Sequence, residues 1–332
     1  MRVGTILWSE GNNWQVLRDF AKRADELGYE IGFSQESWGR EAYITLADLA
    51  WVTKNIRLAP GIANLFSRTP GLMAQLAATL DVQSNGRGVV GLGLSSRQLI
   101  TNFHGIKFEH PIQRTREYIE IIRLALSGER VNYDGEIFKL QGFRLNMPPP
   151  EHKIPIYVAA MGPRNIRLCA ELADGVVPFF PNSKDMGYMM GQIAAGAQDA
   201  GKDPSEVEVA PFIITCITED PEEGRAQARA QIASYVGGMG DFYFDLIRRY
   251  GYIEETDAIK EAWVQHDRDR ARSLVTEDMV DSLTIAGTPS HCRDRLDEYH
   301  AAGVNLPIIY WSNGASKQNV EFGLELLAPK NR

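Results

Sequence analysis

The chain has 332 residues, a length that suits one β/α barrel with insertions. Acidic residues outnumber basic ones by 43 to 35, and no basic run is interleaved with aromatic residues, which argues against a nucleic acid partner. Because no apolar stretch approaches about 18 residues and the sequence opens on a strand, we expect neither a signal peptide nor a membrane span and predict a cytoplasmic protein. Cys169, Cys216 and Cys292 lie far apart, so we expect reduced thiols and no metal site.

Short apolar runs alternate with amphipathic helical stretches along most of the chain. Eight strands are predicted, at 3–7, 31–33, 56–60, 89–94, 154–159, 175–178, 209–217 and 306–310. Helices separate these strands, and many of them end at Gly or Asn-Gly. This count predicts an α/β fold, a closed parallel (β/α)8 TIM barrel, with an open doubly wound sheet as the alternative.

Two segments depart from this alternation. Asp134-Gly135 joins the runs 131–133 and 137–140 into an extra β-hairpin outside the barrel. Residues 236–286 are charged and rich in aromatic side chains, and the segment is too long for an ordinary connection. We therefore predict one domain, 1–332, that includes a helical insertion over 236–286 near the barrel mouth.

Ligands of such barrels bind at the carboxyl ends of the strands. Glu36 follows the second strand, where it is a candidate catalyst or simply a solvated or helix-capping carboxylate. Gly162-Pro163-Arg164-Asn165 begins a helix, so it either binds a phosphate or is plain helix-start architecture. The glycines of GLGLSS, 91–96, either approach a ligand or allow close packing. His104 is a packed histidine or an acid catalyst.

Several longer segments also resemble one known family in their order and spacing. The segments are 61–96, 102–140, 154–178, 235–252 and 282–304. Together they resemble the bacterial luciferase-like superfamily, and more narrowly its deazaflavin (coenzyme F420)-dependent branch, which includes the methylenetetrahydromethanopterin reductases. The resemblance implies a barrel that holds coenzyme F420 at its mouth, with a non-proline cis peptide bond at Gly61–Ile62 behind the deazaflavin ring.

The resemblance also implies which residues contact the cofactor. Carried over by position, they are Gln35, Gly61, Ile62, Ala63, Asn64, Ser95, Ser96, Met161, Gly162, Pro163, Arg164 and Asn165. Several relatives carry Asp-His where this chain has Gln35-Glu36, so the resemblance leaves Glu36 as the candidate for proton transfer, assisted by His104. Ser95-Ser96-Arg97 departs from the Ser-Gly-Pro of the nearest relatives, which makes cofactor contacts there less secure.

A deazaflavin transfers hydride, and the protein then supplies orientation and a proton. The resemblance thus implies an F420-dependent oxidoreductase acting on a small, mainly uncharged organic substrate, a carbonyl or alcohol, an alkene or an imine. One alternative is an FMN-dependent monooxygenase that uses oxygen and reduced flavin from a separate reductase. Another is a non-catalytic flavin-binding barrel. By analogy with relatives we expect a homodimer.

Overall fold

The computed structural model describes residues 1–331. The strands are β1 (Gly4–Ile6), β2 (Ile31–Ser34), β3 (Arg57–Pro60), β4 (Ala63–Asn64), β5 (Val90–Gly93), β6 (Val131–Asp134), β7 (Lys139–Phe143), β8 (Ile156–Val158), β9 (Gly175–Val176), β10 (Glu208–Val209), β11 (Phe212–Ile217), β12 (Thr284–Gly287) and β13 (Ile308–Trp311). The α-helices are α1 (Trp14–Glu26), α2 (Ala42–Ala50), α3 (Pro70–Gln83), α4 (Pro111–Leu126), α5 (Pro163–Leu172), α6 (Met186–Asp199), α7 (Pro221–Gly238), α8 (Asp241–Arg249), α9 (Ile253–Val264), α10 (Arg268–Ser273), α11 (Glu277–Leu283), α12 (Pro289–Ala301) and α13 (Lys317–Leu326). Leu99–Phe103 forms a π-helical turn, and Pro204–Glu206 and Pro329–Asn331 form 3-10 turns.

The barrel strands form one continuous ring of parallel neighbours. One sheet has the order β12-β11-β13-β1-β2-β3, and the other has the order β10-β9-β8-β5-β4. Two parallel bridges join the sheets at their seams, Leu58 to Gly88 and Phe179 to Phe212. Each of the eight predicted strands matches a barrel strand, with β10 and β11 together filling 209–217. The predicted (β/α)8 TIM barrel is confirmed.

The predicted hairpin is also present. β6 and β7 pair in antiparallel fashion, with Tyr133 opposite Leu140. Glu117 of α4 holds the turn, since its carboxylate accepts hydrogen bonds from the N–H groups of Ile137 and Phe138. Burial alone would raise the pKa of Glu117, but these bonds and one from Gln113 hold the pKa below its usual value.

The range 236–286, predicted as an insertion, contains several elements. It begins inside α7, continues through α8 to α11, and ends within β12. β12 is an additional strand that the eight-strand prediction does not contain. Its residues Thr284 to Gly287 pair with the last four residues of β11. Phe179 pairs with β11 nearer its start, at Phe212. Helix α13 also lies outside the predicted elements. None of the helices within residues 1–331 combines the length and apolar character needed to cross a membrane.

Aromatic side chains fill the barrel below its mouth. Phe33 of β2 meets Phe212 of β11 edge to face, with ring centroids 5.0 Å apart, and it meets Tyr157 of β8 at 6.4 Å. All three side chains are buried. This layer fills the barrel interior with packed side chains beneath the cavity at its mouth.

The end of β3 approaches β5 closely because β5 carries two glycines. A Cβ atom on Gly91 would lie 1.9 Å from the carbonyl oxygen of Pro60, and one on Gly93 would lie 2.6 Å from the side chain of Ile62. The glycines of GLGLSS therefore allow close packing, and the element that packs against them is a neighbouring strand rather than a helix. They fix where the chain at Gly61–Ile62 sits in the barrel mouth.

We predict that Gly91→Ala lowers the free energy of unfolding by about 3 kcal/mol, because backbone must move to admit the methyl group. Gly191→Ala is the control, since Gly191 is an exposed position within α6 with open space around it. That control should gain about 0.5 to 1 kcal/mol from helix propensity. Denaturant titration measures both, and equal stabilities for the two variants would contradict this account of the strand packing.

Candidate functional site

A cavity of about 660 Å³ opens at the carboxyl ends of the barrel strands, a size typical of small-molecule sites. Most of the residues predicted to form the site line this cavity. They are Gln35, Glu36, Gly61, Ile62, Ser95, Ser96, Met161, Gly162, Pro163, Arg164 and Asn165. The fold therefore brings together, on one cavity, residues from the ends of β2, β3, β5 and β8.

Three predicted residues do not line the cavity: Ala63, Asn64 and His104. Ala63 and Asn64 are buried because they pair with β5 as strand β4. The side-chain oxygen of Asn64 accepts hydrogen bonds from the N–H groups of Phe66 and Ser67, so this amide stabilises the turn. The ring of His104 lies 3.4 Å from the Asn64 amide nitrogen, behind the cavity wall.

The chain changes partner strand at Gly61 and Ile62. The N–H of Gly61 still donates to Ser34 of β2 (2.7 Å), whereas Ala63 pairs with β5. The peptide bond between Gly61 and Ile62 is cis, as the resemblance implies. A Cβ atom on Gly61 would lie 2.9 Å from the Cβ of Phe33, so a side chain does not fit there. The cavity wall here is therefore backbone and the Ile62 side chain.

The serines after β5 form a tight corner on the cavity. Ser95 has a left-handed backbone conformation, with φ of 60°. The hydroxyl of Ser96 accepts a hydrogen bond from the N–H of Leu99 at 3.2 Å, which begins the π-helical turn. Arg97 does not line the cavity, and its guanidinium stacks on Phe108 and donates to the Phe108 carbonyl. Arg97, where this chain departs from the sequence pattern of its relatives, thus lies outside the cavity wall.

The start of helix α5 offers hydrogen-bonding groups to a ligand. Gly162 is the N-cap, and no side chain caps the first free N–H groups of this helix. Asn165 is buried against the cavity, and its side-chain oxygen has no hydrogen-bond partner within the described residues. A buried amide oxygen without a donor is costly, so it suits a ligand hydroxyl such as those of a cofactor's polyol chain.

Two arginines give this part of the cavity positive charge. Arg164 follows the helix start, and Arg249 of α8 donates to the carbonyl oxygen of Met161 at 2.9 Å. Asp245 of α8 lies on the same cavity. A helix N-terminus beside guanidinium groups is a favourable site for a phosphate, because dipole and charge act in the same direction. These residues fit the phosphate-bearing chain of a flavin or deazaflavin.

Glu36 reaches the cavity, but its carboxylate is already bound. Arg68 donates to both oxygens of Glu36, at 2.7 and 2.8 Å, and the N–H of Ala42 adds a third bond at 3.1 Å. Arg68 also pairs with Glu41. Burial alone would lower the pKa of Arg68, but the two carboxylates raise it above its usual value. The sequence does not predict Arg68 at the site, because its partner lies 32 positions away.

An aromatic wall forms another part of the cavity. Phe179 stacks on Tyr235 with centroids 5.0 Å apart and meets Tyr310 edge to face at 5.0 Å. The amide nitrogen of Gln35 donates to the Tyr310 hydroxyl at 2.7 Å, and the hydroxyls of Tyr235 and Tyr310 lie 3.1 Å apart. Burial raises the pKa of Tyr235 and of Tyr310, so both phenols carry their protons at neutral pH.

Sequence patterns predict only part of this wall. The last predicted strand, 306–310, gives no sign of which side chains face the cavity. Because the side chains of a strand alternate, Tyr310 faces the cavity while Trp311 packs outward on Phe20 of α1. Helix α8 adds Phe242 and Tyr243, which no strand-end rule would find. Within residues 1–331, no cluster of three His, Cys, Asp or Glu side chains could hold a metal ion.

Comparison with known proteins agrees with this architecture. A 5,10-methylenetetrahydromethanopterin reductase of Archaeoglobus fulgidus is 33% identical over 294 residues, covering 87% of each chain. A putative coenzyme F420-dependent oxidoreductase of Mycobacterium tuberculosis is 31% identical over 304 residues, covering 86% of this chain and 88% of that protein.

The solved structure of the coenzyme F420 dependent tetrahydromethanopterin reductase from Methanopyrus kandleri has a similar fold. It superposes with a TM-score of 0.86 and 26% identity, covering 99% of this chain and 98% of that one. The family model described as luciferase-like monooxygenase matches residues 1–306. The chain therefore belongs to the luciferase-like family of enzymes.

Proposed function

We propose that this enzyme is a coenzyme F420-dependent oxidoreductase that transfers hydride between the deazaflavin and a small, mainly uncharged organic substrate. The observation that carries the proposal is the chemistry of the cavity. One part, at the start of α5, suits a phosphate and a polyol, and another part is an aromatic wall with neutral hydroxyls. The F420-dependent relatives support the same cofactor.

The residues present fit such a cofactor without a metal. Arg164 and the first N–H groups of α5 would hold the phosphate, and Asn165 would accept a bond from the polyol. Gly61 and Ile62 would support the ring. When bound, a deazaflavin supplies a carbon that gives or accepts a hydride as a two-electron step.

The substrate class follows from the rest of the lining. Among residues 1–331, no lysine lines the cavity, and the hydrogen-bonding groups of the aromatic wall, on Gln35, Tyr235 and Tyr310, are uncharged. Such a wall favours an apolar substrate with one polar group and excludes water from the reacting atoms. A carbonyl or alcohol, an alkene and an imine all meet this description.

An FMN-dependent monooxygenase is the second candidate, because the matching family model carries that activity in its description and the phosphate groups would suit FMN equally. The two enzymatic candidates differ in their cofactor and in their need for oxygen and a separate reductase.

Titration of the purified protein with F420 and with FMN, followed by ring fluorescence, separates the cofactors. We expect micromolar binding of F420, and we expect Arg164→Ala to weaken it about tenfold through loss of a charge-assisted bond. Arg97→Ala is the matched control, because its guanidinium stacks on Phe108 outside the cavity. Binding of FMN without binding of F420 would contradict the proposal. Binding of F420 with no reduction of any carbonyl, alkene or imine would favour the non-catalytic barrel.

Glu36 stays the predicted proton-transfer residue, and the assisting role of His104 stays a prediction for a residue that does not line the cavity. For Glu36 the structure gives a sharp test, because Glu41 shares Arg68 but does not line the cavity. Glu36→Gln should lower the free energy of unfolding by about 2 kcal/mol, since it breaks a largely buried ion pair. A proton-transfer role requires turnover to fall about 100-fold as well, with F420 binding intact. Glu41→Gln should lose stability without losing turnover, and unchanged turnover in Glu36→Gln would remove Glu36 from the mechanism.

We also propose a homodimer that forms through the outer face of α2. Ile44 and Trp51 lie seven positions apart on this face and are 70% and 78% exposed. Leu72 and Val82 of the adjacent α3 are exposed as well. Exposed large apolar side chains on two adjacent helices are typical of an interface.

Sedimentation equilibrium tests this interface. The wild type should have twice the mass of one chain, and Trp51→Glu should sediment as a monomer because the glutamate would be buried unpaired. Val264→Glu on α9, at a valine that is 68% exposed, should remain dimeric. A monomeric wild type would overturn the proposal.

A further inference from the structure

We propose that Tyr310 binds the oxygen of the substrate and gives it a proton, and that the cavity therefore takes a ketone or aldehyde, or the corresponding alcohol in reverse. This inference rests on the proposed hydride transfer. It assigns the proton to a residue that the sequence does not predict at the site, and it selects one substrate class from those that the cavity admits.

Three residues from separate elements meet at the Tyr310 hydroxyl. Gln35 follows β2, Tyr235 comes from α7, and Tyr310 comes from β13. All three line the cavity. Because the Gln35 amide donates to the Tyr310 oxygen at 2.7 Å, the Tyr310 proton must point elsewhere, either to Tyr235 at 3.1 Å or to a ligand.

The same two neighbours would stabilise Tyr310 after it has lost its proton. A phenolate on Tyr310 would accept hydrogen bonds from the Gln35 amide and from the Tyr235 hydroxyl. The edge of Phe179 packs against the ring, so water has little access. Of the two phenols, we take Tyr310 as the proton donor, because its oxygen accepts from the Gln35 amide at 2.7 Å. Burial also raises the pKa of Tyr310 less strongly than that of Tyr235.

Glu36 is a weaker candidate for the same proton. Both of its oxygens accept hydrogen bonds from Arg68, and one also accepts from Ala42. The hydrogen bonds of the Tyr310 hydroxyl, in contrast, are to the neutral Gln35 amide and Tyr235 hydroxyl. The two assignments place one proton on different residues, so the same experiments can separate them.

The reaction balances as follows in the direction of reduction. The carbonyl carbon accepts a hydride from the reduced deazaflavin and forms a C–H bond, and the electron pair of the C=O π bond moves to the oxygen. That oxygen takes the Tyr310 proton and becomes a hydroxyl. Tyr310 would then regain a proton from solvent, which is matched by the proton that the reduced deazaflavin would release on becoming oxidised.

Ligand affinity tests the assignment without any cofactor. Cyclohexanone and its hydrocarbon analogue methylenecyclohexane have nearly the same shape, and only the ketone accepts a hydrogen bond. Tyr310→Phe should weaken cyclohexanone about fivefold and leave methylenecyclohexane unchanged. Tyr29→Phe is the matched control. Tyr29 precedes β2 and so lies at the opposite end of the barrel, and its hydroxyl donates to the Leu324 carbonyl. Unchanged selectivity for the ketone in Tyr310→Phe would overturn the proposal.

Turnover then tests the proton. With reduced F420 and cyclohexanone, Tyr310→Phe should lose about 100-fold in kcat while binding F420 as the wild type does and keeping its circular dichroism spectrum. Tyr235→Phe should lose less, because Tyr310 keeps its proton.

A large loss in Glu36→Gln with none in Tyr310→Phe would assign the proton to Glu36 and overturn the proposal. Failure of the wild type to bind F420 would instead contradict the proposed function, and failure to reduce the ketone with F420 bound would overturn the substrate class.

Discussion

The mouth of this barrel depends on the close approach of two strands. Gly91 leaves space for the carbonyl of Pro60, and Gly93 leaves space for the side chain of Ile62. If β5 carried larger residues, the chain after Pro60 could not change from pairing with β2 to pairing with β5 in its present position. Because interiors are packed to crystal-like density, such a steric condition fixes position more strictly than any single hydrogen bond. The backbone at Gly61 and Ile62 thereby becomes part of the cavity wall.

Different structural elements supply the different chemical groups that line the rest of the cavity. The loops after β5 and β8 supply serines, a helix N-terminus and Arg164, groups that suit a phosphorylated cofactor. Tyr310 and the residues from α7 and α8 supply phenols and apolar rings that suit a substrate. A barrel can keep the first set while the second varies, since the loops and added helices are independent of the strand scaffold. Relatives can therefore share a cofactor while acting on different substrates.

Strand alternation and turn residues predict the eight-strand barrel, because each signal is local and repeats in every unit. The strand ends after β2, β3, β5 and β8 follow from the same rule, and they supply most of the cavity residues. Local patterns do not contain the Arg68 to Glu36 pair or the contacts of α8, which depend on distant parts of the chain. β12 escapes prediction because four residues that follow a helix directly give no turn signal.

A crystal structure of the protein with F420 bound tests the central claim most directly. The account places the deazaflavin ring against Gly61 and Ile62, the phosphate at the N-terminus of α5, and the Tyr310 hydroxyl facing the open side of the ring. A cofactor whose phosphate lies away from Arg164 and Asn165, or whose ring occupies another part of the cavity, would contradict it.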